Sequence, residues 1–447
     1  MTRSEPVSPL LRPSLKGTLM NRATYRRART RVVASSTGVV LTALLAGCGG
    51  SGGTVAAGAS GAATDAEGTA SAACGQVPTI APKDPDGAVK ALPADLQKAY
   101  NAYGEEVFAS AWQNKKALGR AAKVGFSYLP ASNAFAGAVI KQVETSFAAA
   151  KADGLVQGKL VKRIMTDPAT MTPAEQIRGY NELVDSGVDI IYITPLSGDA
   201  MVSAVDAAGK KGVVTVALGS TIRSKYAVNV AENAYLNIAA PTALVAGQLN
   251  GKGNVVIVRG FQGLSTETIG YQAVKDVLAA CPDLKVLGQV NGAFVPPVAK
   301  AELLKFLASH PQQIDMVAQL GVMGSGVYAA FDSTGRDTPK VVDAGASASS
   351  LASWKKLETA DGYETAGTGG NGTQEAKAWF TVGMMVMAGD GPKVGTITRE
   401  PSVITKANLA DYLPAGAKVS DLGEVEDGEA WMPQSYLDQF FDNPSQS

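Results

Sequence analysis

Short apolar runs alternating with amphipathic segments predict an α/β protein of two doubly wound parallel-sheet lobes. Three observations carry this expectation. From residue 123 a strand-helix rhythm sets in, at residue 255 the same rhythm starts again, and 447 residues at 46% hydrophobic content suffice for more than one cored domain.

The first run opens with Val124-Gly125-Phe126-Ser127-Tyr128 as a strand, a helix over 134–152 and a second strand at 160–164. It continues with a helix over 175–186, a strand at 190–193, a helix over 199–211 and a fourth strand at 213–216. The second run places strands at 255–258, 285–289, 316–319 and 340–343, with a helix or helical pattern between successive strands. Strands that read as continuous Val/Ile runs, rather than alternating ones, belong in a sheet covered on both faces. Ligands bind such sheets beyond the carboxyl ends of the strands.

The flanks differ in texture. A basic stretch over 21–31 precedes an apolar run over 32–46, the order of a signal peptide, and the run is too short and too interrupted by Ser35, Ser36 and Thr37 to span a bilayer. It ends in Leu45-Ala46-Gly47-Cys48, which resembles the lipobox of bacterial lipoproteins and implies lipidation of Cys48 and a membrane anchor on the extracytoplasmic face. Residues 48–73 are nearly all Gly, Ala, Ser and Thr and read as a tether. Over 74–122, Leu92, Leu96, Tyr100, Tyr103 and Val107 recur at helical spacing behind Pro93 and predict an amphipathic helix laid on the body. The two cysteines left after Cys48, Cys74 and Cys281, fit either a disulfide or free half-buried thiols.

Composition excludes several functions. Forty basic side chains balance forty acidic ones with no basic stripe, so nucleic acid is not a partner. The single histidine, His310, stands at a helix end before Pro311, which removes the usual base of Ser-His-Asp or Cys-His catalysis and the usual metal ligand. Carboxylate pairs such as Asp65 with Glu67 and Glu105 with Glu106 fall in the tether and the extension and read as solvated charge. No enzyme, metal site or cofactor is expected. The glycines of 321–326 lack phosphate-loop spacing and read as a close-packed helix start.

Residues 123–406 resemble type I periplasmic-binding proteins of the ribose-binding cluster. The resemblance rests on Lys123-Val124-Gly125-Phe126-Ser127 leading to Asn133-Ala134-Phe135, on the stretch from Leu183 to Pro195, and on Gly253-Asn254-Val255-Val256-Ile257-Val258 followed by Gly270-Tyr271-Gln272-Ala273-Val274. It implies lobes joined by a hinge: lobe 1 over 123–231, lobe 2 over 232–366, a return to lobe 1 over 367–390 and a C-terminal segment over 391–447. It further implies capture of a sugar or polyol between the lobes and delivery to the permease of an ABC importer, by a monomer. A less polar or acidic ligand, and a lipoprotein that presents its ligand to a membrane receptor, are the competing expectations. A transcriptional regulator of this fold needs a helix-turn-helix where the export segment stands.

Phe135 and Phe294 match the family's stacking aromatics, and the other candidate ligand contacts are Ser127, Asn133, Thr194, Glu232, Glu267, Gln319 and Asp343, with Asn133 and Phe135 foremost. The family's polar anchors are altered: Leu218-Gly219 stands for Asp-Arg, Glu267 for Arg, and Leu320-Gly321 for Asn-Asp. These departures point away from ribose.

Overall fold

The computed structural model describes residues 73–166, 171–426 and 430–442. Cys48 and the expected signal and tether segments lie outside the described residues.

Two six-stranded sheets form the body. The first contains β1 (Val124–Tyr128), β2 (Val161–Ile164), β3 (Ile190–Ile193), β4 (Val214–Leu218), β5 (Ala227–Glu232) and β11 (Thr396–Arg399), all parallel, in the order β11-β5-β4-β3-β1-β2. The second contains β6 (Lys252–Arg259), β7 (Asp283–Asn291), β8 (Met316–Gln319), β9 (Lys340–Asp343), β10 (Ala366–Thr368) and the antiparallel edge strand β12 (Val403–Thr405), in the order β12-β10-β9-β8-β6-β7. β1, β3, β4, β8 and the last three residues of β9 are fully buried, as strands without polar alternation require.

Helices α2 (Ala134–Ala152), α3 (Pro173–Asp185), α4 (Gly198–Lys210) and α10 (Gly372–Ala388) clothe the first sheet. Helices α5 (Ala234–Gln248), α6 (Ser265–Ala279), α7 (Pro296–Ser309), α8 (Gly324–Thr334) and α9 (Ala348–Asp361) clothe the second. Local chemistry starts several of them. Asn133, Thr172, Ser197, Asn233 and Asn371 each accept a hydrogen bond from a first-turn N–H of the helix that follows. The glycines at 321–326 do open a close-packed helix: a Cβ on Gly326 would lie 2.0 Å from the Pro296 carbonyl oxygen.

The N-terminal extension departs from expectation. Its helix, α1, covers only Ala94–Lys98. Leu92, Leu96, Tyr100, Tyr103 and Val107 are all buried as the spacing suggested, but the chain beyond α1 runs in turns. Ala102 takes a left-handed backbone conformation (φ 53°) and Gly104 packs against Ile269, which ends helical continuation. The segment is a strap. Cys74 is disulfide-bonded to Cys281 after α6, while Tyr100 Oη donates to the Thr396 carbonyl (2.6 Å) and Trp112 Nε1 to the Tyr226 carbonyl (2.8 Å) on the first lobe. The C-terminal segment is likewise part of the body: it contributes β11 to one sheet and β12 to the other, and Trp431, Met432, Leu437, Phe440 and Phe441 join the first lobe's core.

Candidate functional site

Nine strands of the two sheets end at one cavity of about 520 Å³. From the first lobe come Leu129 after β1, Thr194 after β3, Gly219 and Ser220 after β4, and Glu232 closing β5. The second lobe supplies Phe261 after β6, Phe294 after β7, Leu320 after β8, Gly345 after β9 and Gly369 after β10. This is the place where parallel sheets leave their strand-end loops free to line a ligand site. The lining is mainly apolar, with isolated polar groups set into it.

Five of the nine sequence-predicted site residues line this cavity: Asn133, Phe135, Thr194, Glu232 and Phe294. Asn133 does two jobs. Its Oδ1 accepts from Ala136 N (2.9 Å) and starts α2, and its Nδ2 donates to the Phe294 carbonyl (3.2 Å), a hydrogen bond that crosses from one lobe to the other. Phe294 itself adopts φ 58° and lies over Gly260, where a Cβ would come within 2.1 Å of its ring. The glycine therefore lets the aromatic ring pack flat on the loop after β6.

The other four lie outside the lining, each for a visible reason. Ser127 is buried within β1, one residue too early to reach the strand end. Glu267, in the first turn of α6, is buried against Arg259, whose guanidinium also covers the Tyr271 ring at 3.6 Å. A nearby arginine at the end of β6 thus turns this carboxylate into a structural ion pair. Gln319 Oε1 accepts from Gly321 N (2.7 Å) and Met323 N (3.2 Å), and its Nε2 donates to the Ala344 carbonyl (2.7 Å). It shapes the loop that carries Leu320 without facing the cavity. Asp343 is fully buried, accepts from Gln319 and packs on the start of α8, where a Cβ on Gly324 would meet its Oδ1.

The sequence reading missed Asn237, Phe261, Leu264, Ser220 and Glu375. Asn237 is one turn into α5 and its Oδ1 is a buried acceptor with no hydrogen-bond partner. Glu375 sits in the first turn of α10, the helix that returns to the first lobe. Burial and the charge of Glu232 hold its carboxyl well above the usual carboxylate range, with Glu424 adding to the effect and Arg399 opposing it. The signal available was the Asn371-Gly372-Thr373-Gln374-Glu375 helix start, which reads equally well as ordinary capping.

His310 stacks on Phe306 with ring centroids 3.7 Å apart, far from this chemistry at the end of α7. Among the described residues no helix is long and apolar enough to cross a membrane.

Comparison with known proteins fits this geometry. A xylitol-binding protein of Mycolicibacterium smegmatis is 30% identical over 240 residues, covering 53% of this chain and 66% of the relative, just under two thirds of that protein's length. Among solved structures, an ABC transporter solute-binding protein from Thermobispora bispora has a TM-score of 0.57 at 23% identity, over 65% of this chain and 87% of its own. Another from Mycobacterium smegmatis, with bound glycerol, has a TM-score of 0.56 at 16% identity, over 67% of this chain and 100% of its own. A third, from Bacillus halodurans with bound myo-inositol, has a TM-score of 0.52 at 17% identity, over 65% and 97%. At these identities the solved structures speak for the fold. The profile of the periplasmic binding protein domain family matches residues 124–390, well over half of the sequence, and this chain belongs to that family.

Proposed function

We propose that this protein is an extracytoplasmic solute-binding protein that captures a sugar or polyol between its lobes and delivers it to an ABC importer. The observation that carries the reading is the cavity at the strand ends, flanked by Phe135 from one lobe and Phe294 from the other. Aromatic faces suit the C–H faces of a sugar or the carbon chain of a polyol, and the polar groups set between them, Asn133, Asn237, Thr194 and Glu232, suit its hydroxyls. The names of the relatives, which bind xylitol, glycerol and myo-inositol, support the same class of ligand. The role is capture rather than catalysis, and hinge closure around the ligand is the signal passed to the permease. Lipidation of Cys48 would hold the protein at the outer face of the membrane as a monomer.

The test is a thermal-shift screen against pentoses, hexoses, polyols, organic acids and aromatic acids. A true ligand at 100 times its dissociation constant adds about 2.7 kcal/mol to stability. A sugar or polyol is expected to stabilise the wild type, and Phe135→Ala to weaken that ligand about 10-fold or more through loss of the stacked face. Stabilisation by acids or apolar compounds alone would overturn the ligand class.

A further inference from the structure

The two walls of the cavity differ in chemistry. The first-lobe wall presents Ser132, Asn133, Thr194, Ser220, Glu232 and Glu375 beside its apolar groups, whereas the second lobe adds only Asn237 and Thr266 as polar side chains. Side chains that could have made the second wall polar are turned to the protein instead: Glu267 pairs with Arg259, Gln319 holds the loop after β8, and Asp343 is buried at the start of α8. Backbone donors of the loops after β8, β9 and β10 are engaged as well. The Gly321 N–H donates to Gln319 Oε1 (2.7 Å), that of Val322 to the Ala344 carbonyl (2.9 Å), that of Gly345 to Thr368 Oγ1 (3.0 Å) and that of Gly369 to the Ser402 carbonyl (2.9 Å). What this wall offers a ligand is hydrocarbon. Phe261, Val295 and Val298 line the cavity yet join none of the hydrophobic core clusters, and Val298 is 38% exposed. Apolar surface left outside the core gains by being covered, and a guest that satisfies both walls has one face of each kind.

We propose that the ligand is two-faced: a sugar ring held by the first lobe, and an alkyl or aryl group lodged against Phe261, Val295 and Val298 of the second, the chemistry of a small glycoside with an apolar aglycone. This rests on the solute-binding reading above and narrows its ligand class. A bare alditol in the same place brings hydroxyls against the second wall with few donors to replace the water they give up, and each unsatisfied hydroxyl weakens binding. A hydrocarbon group there buries its own apolar surface together with that of the wall, and each buried methylene strengthens binding about 4-fold. The cavity of about 520 Å³ falls within the range of roughly 300–1,000 Å³ that encloses a drug-sized molecule.

The experiment titrates full-length protein calorimetrically with D-xylose and D-glucose, with their methyl, butyl and phenyl β-glycosides, and with butanol and phenol alone. Affinity is expected to rise about 10-fold or more from the methyl to the butyl glycoside of the sugar that binds. Val298→Asn and Phe261→Ser alter side chains outside the core clusters, on α7 and on the loop after β6. Each is expected to weaken the butyl glycoside about 10-fold more than it weakens the parent sugar. A parent sugar that binds with a flat or falling methyl-to-butyl series would overturn the two-faced ligand and leave the sugar reading standing. A rising series whose ratio to the parent sugar is unchanged in both variants would overturn the assignment of the apolar group to this wall. Butanol or phenol binding as tightly as the matching glycoside would instead remove the sugar reading itself, and binding by no sugar, glycoside or alcohol would remove both.

Discussion

Asp343 shows how a side chain prominent in the sequence can end up buried outside the cavity lining. It ends β9, where the family resemblance suggests a ligand contact, yet it has no exposed surface and faces the start of α8. Burial pushes its carboxyl up to about 7, against hydrogen bonds from Ser350 and Gln319 that favour the charged form. Because the folded value lies above the unfolded one, Asp343 contributes stability below about pH 4 that is lost as pH rises towards 7. Asp343→Asn keeps the shape and removes the titration. Urea unfolding of this variant should therefore show a flatter dependence between pH 4 and pH 7.5, the difference from wild type being on the order of 3 kcal/mol. Glu267 carries the same lesson with a different cause, since Arg259 neutralises it before any ligand could.

At the scale of elements, α10 decides what the first lobe presents to the cavity. The family resemblance implies a return to lobe 1 over 367–390, and the burial of Trp379, Phe380, Val382 and Val386 on this helix follows from an apolar stripe. What places Glu375 is the helix start. Asn371 Oδ1 accepts from Gln374 N (2.9 Å), and its Nδ2 donates to the Val425 carbonyl (3.0 Å) on the C-terminal strap. Gly372 lets the first turn approach α2, since a Cβ there would meet the Phe135 carbonyl oxygen at 2.6 Å. Asn371→Ala should cost about 1 kcal/mol of global stability through the lost cap. It should also weaken the ligand found in the screen several-fold, because the strap and the Glu375 turn lose their common tie; calorimetric unfolding and titration of the variant measure the two effects. A variant that loses stability with unchanged affinity would show that the cap serves folding alone.

The whole molecule is braced by segments outside the shared fold. The N-terminal strap is fixed to the second lobe by the Cys74–Cys281 disulfide and to the hinge by Asn233, whose Nδ2 donates to the carbonyls of Ala99 and Asn101, both at 2.8 Å. On the first lobe, Tyr103 Oη pairs with Thr221 Oγ1 (2.6 Å) and Tyr100 with β11. One continuous segment thus touches both bodies whose relative motion the proposed function requires. The disulfide joins residues 207 apart in sequence, so its loss frees a long loop of the unfolded chain. Replacing both cysteines by serine should lower stability by about 2–5 kcal/mol, read as a lower denaturant midpoint. Unfolding that is indifferent to the double substitution would mean that the hydrogen bonds and the buried tyrosines hold the strap unaided.

Several layers of this protein were legible in the amino-acid sequence. The repeated strand-helix rhythm predicted the two sheets because a strand buried on both faces must be apolar throughout, and β8 and β9 fall where their Val-rich runs place them. Asn133 and Phe135 were expected from the family resemblance, and both line the cavity. Tertiary structure alone decided the rest. β10, β11 and β12 are short and rich in threonine or glycine, and they become strands only because a neighbouring edge supplies hydrogen bonds to them. The predicted helix after Pro93 became a strap because the cores of two lobes, rather than the period of one helix, took up its apolar side chains. Whether a carboxylate faces a ligand or an arginine depends on which side chains the fold brings beside it. Glu267 and Glu375, indistinguishable as helix-start glutamates in the sequence, were assigned opposite environments by that physical fact.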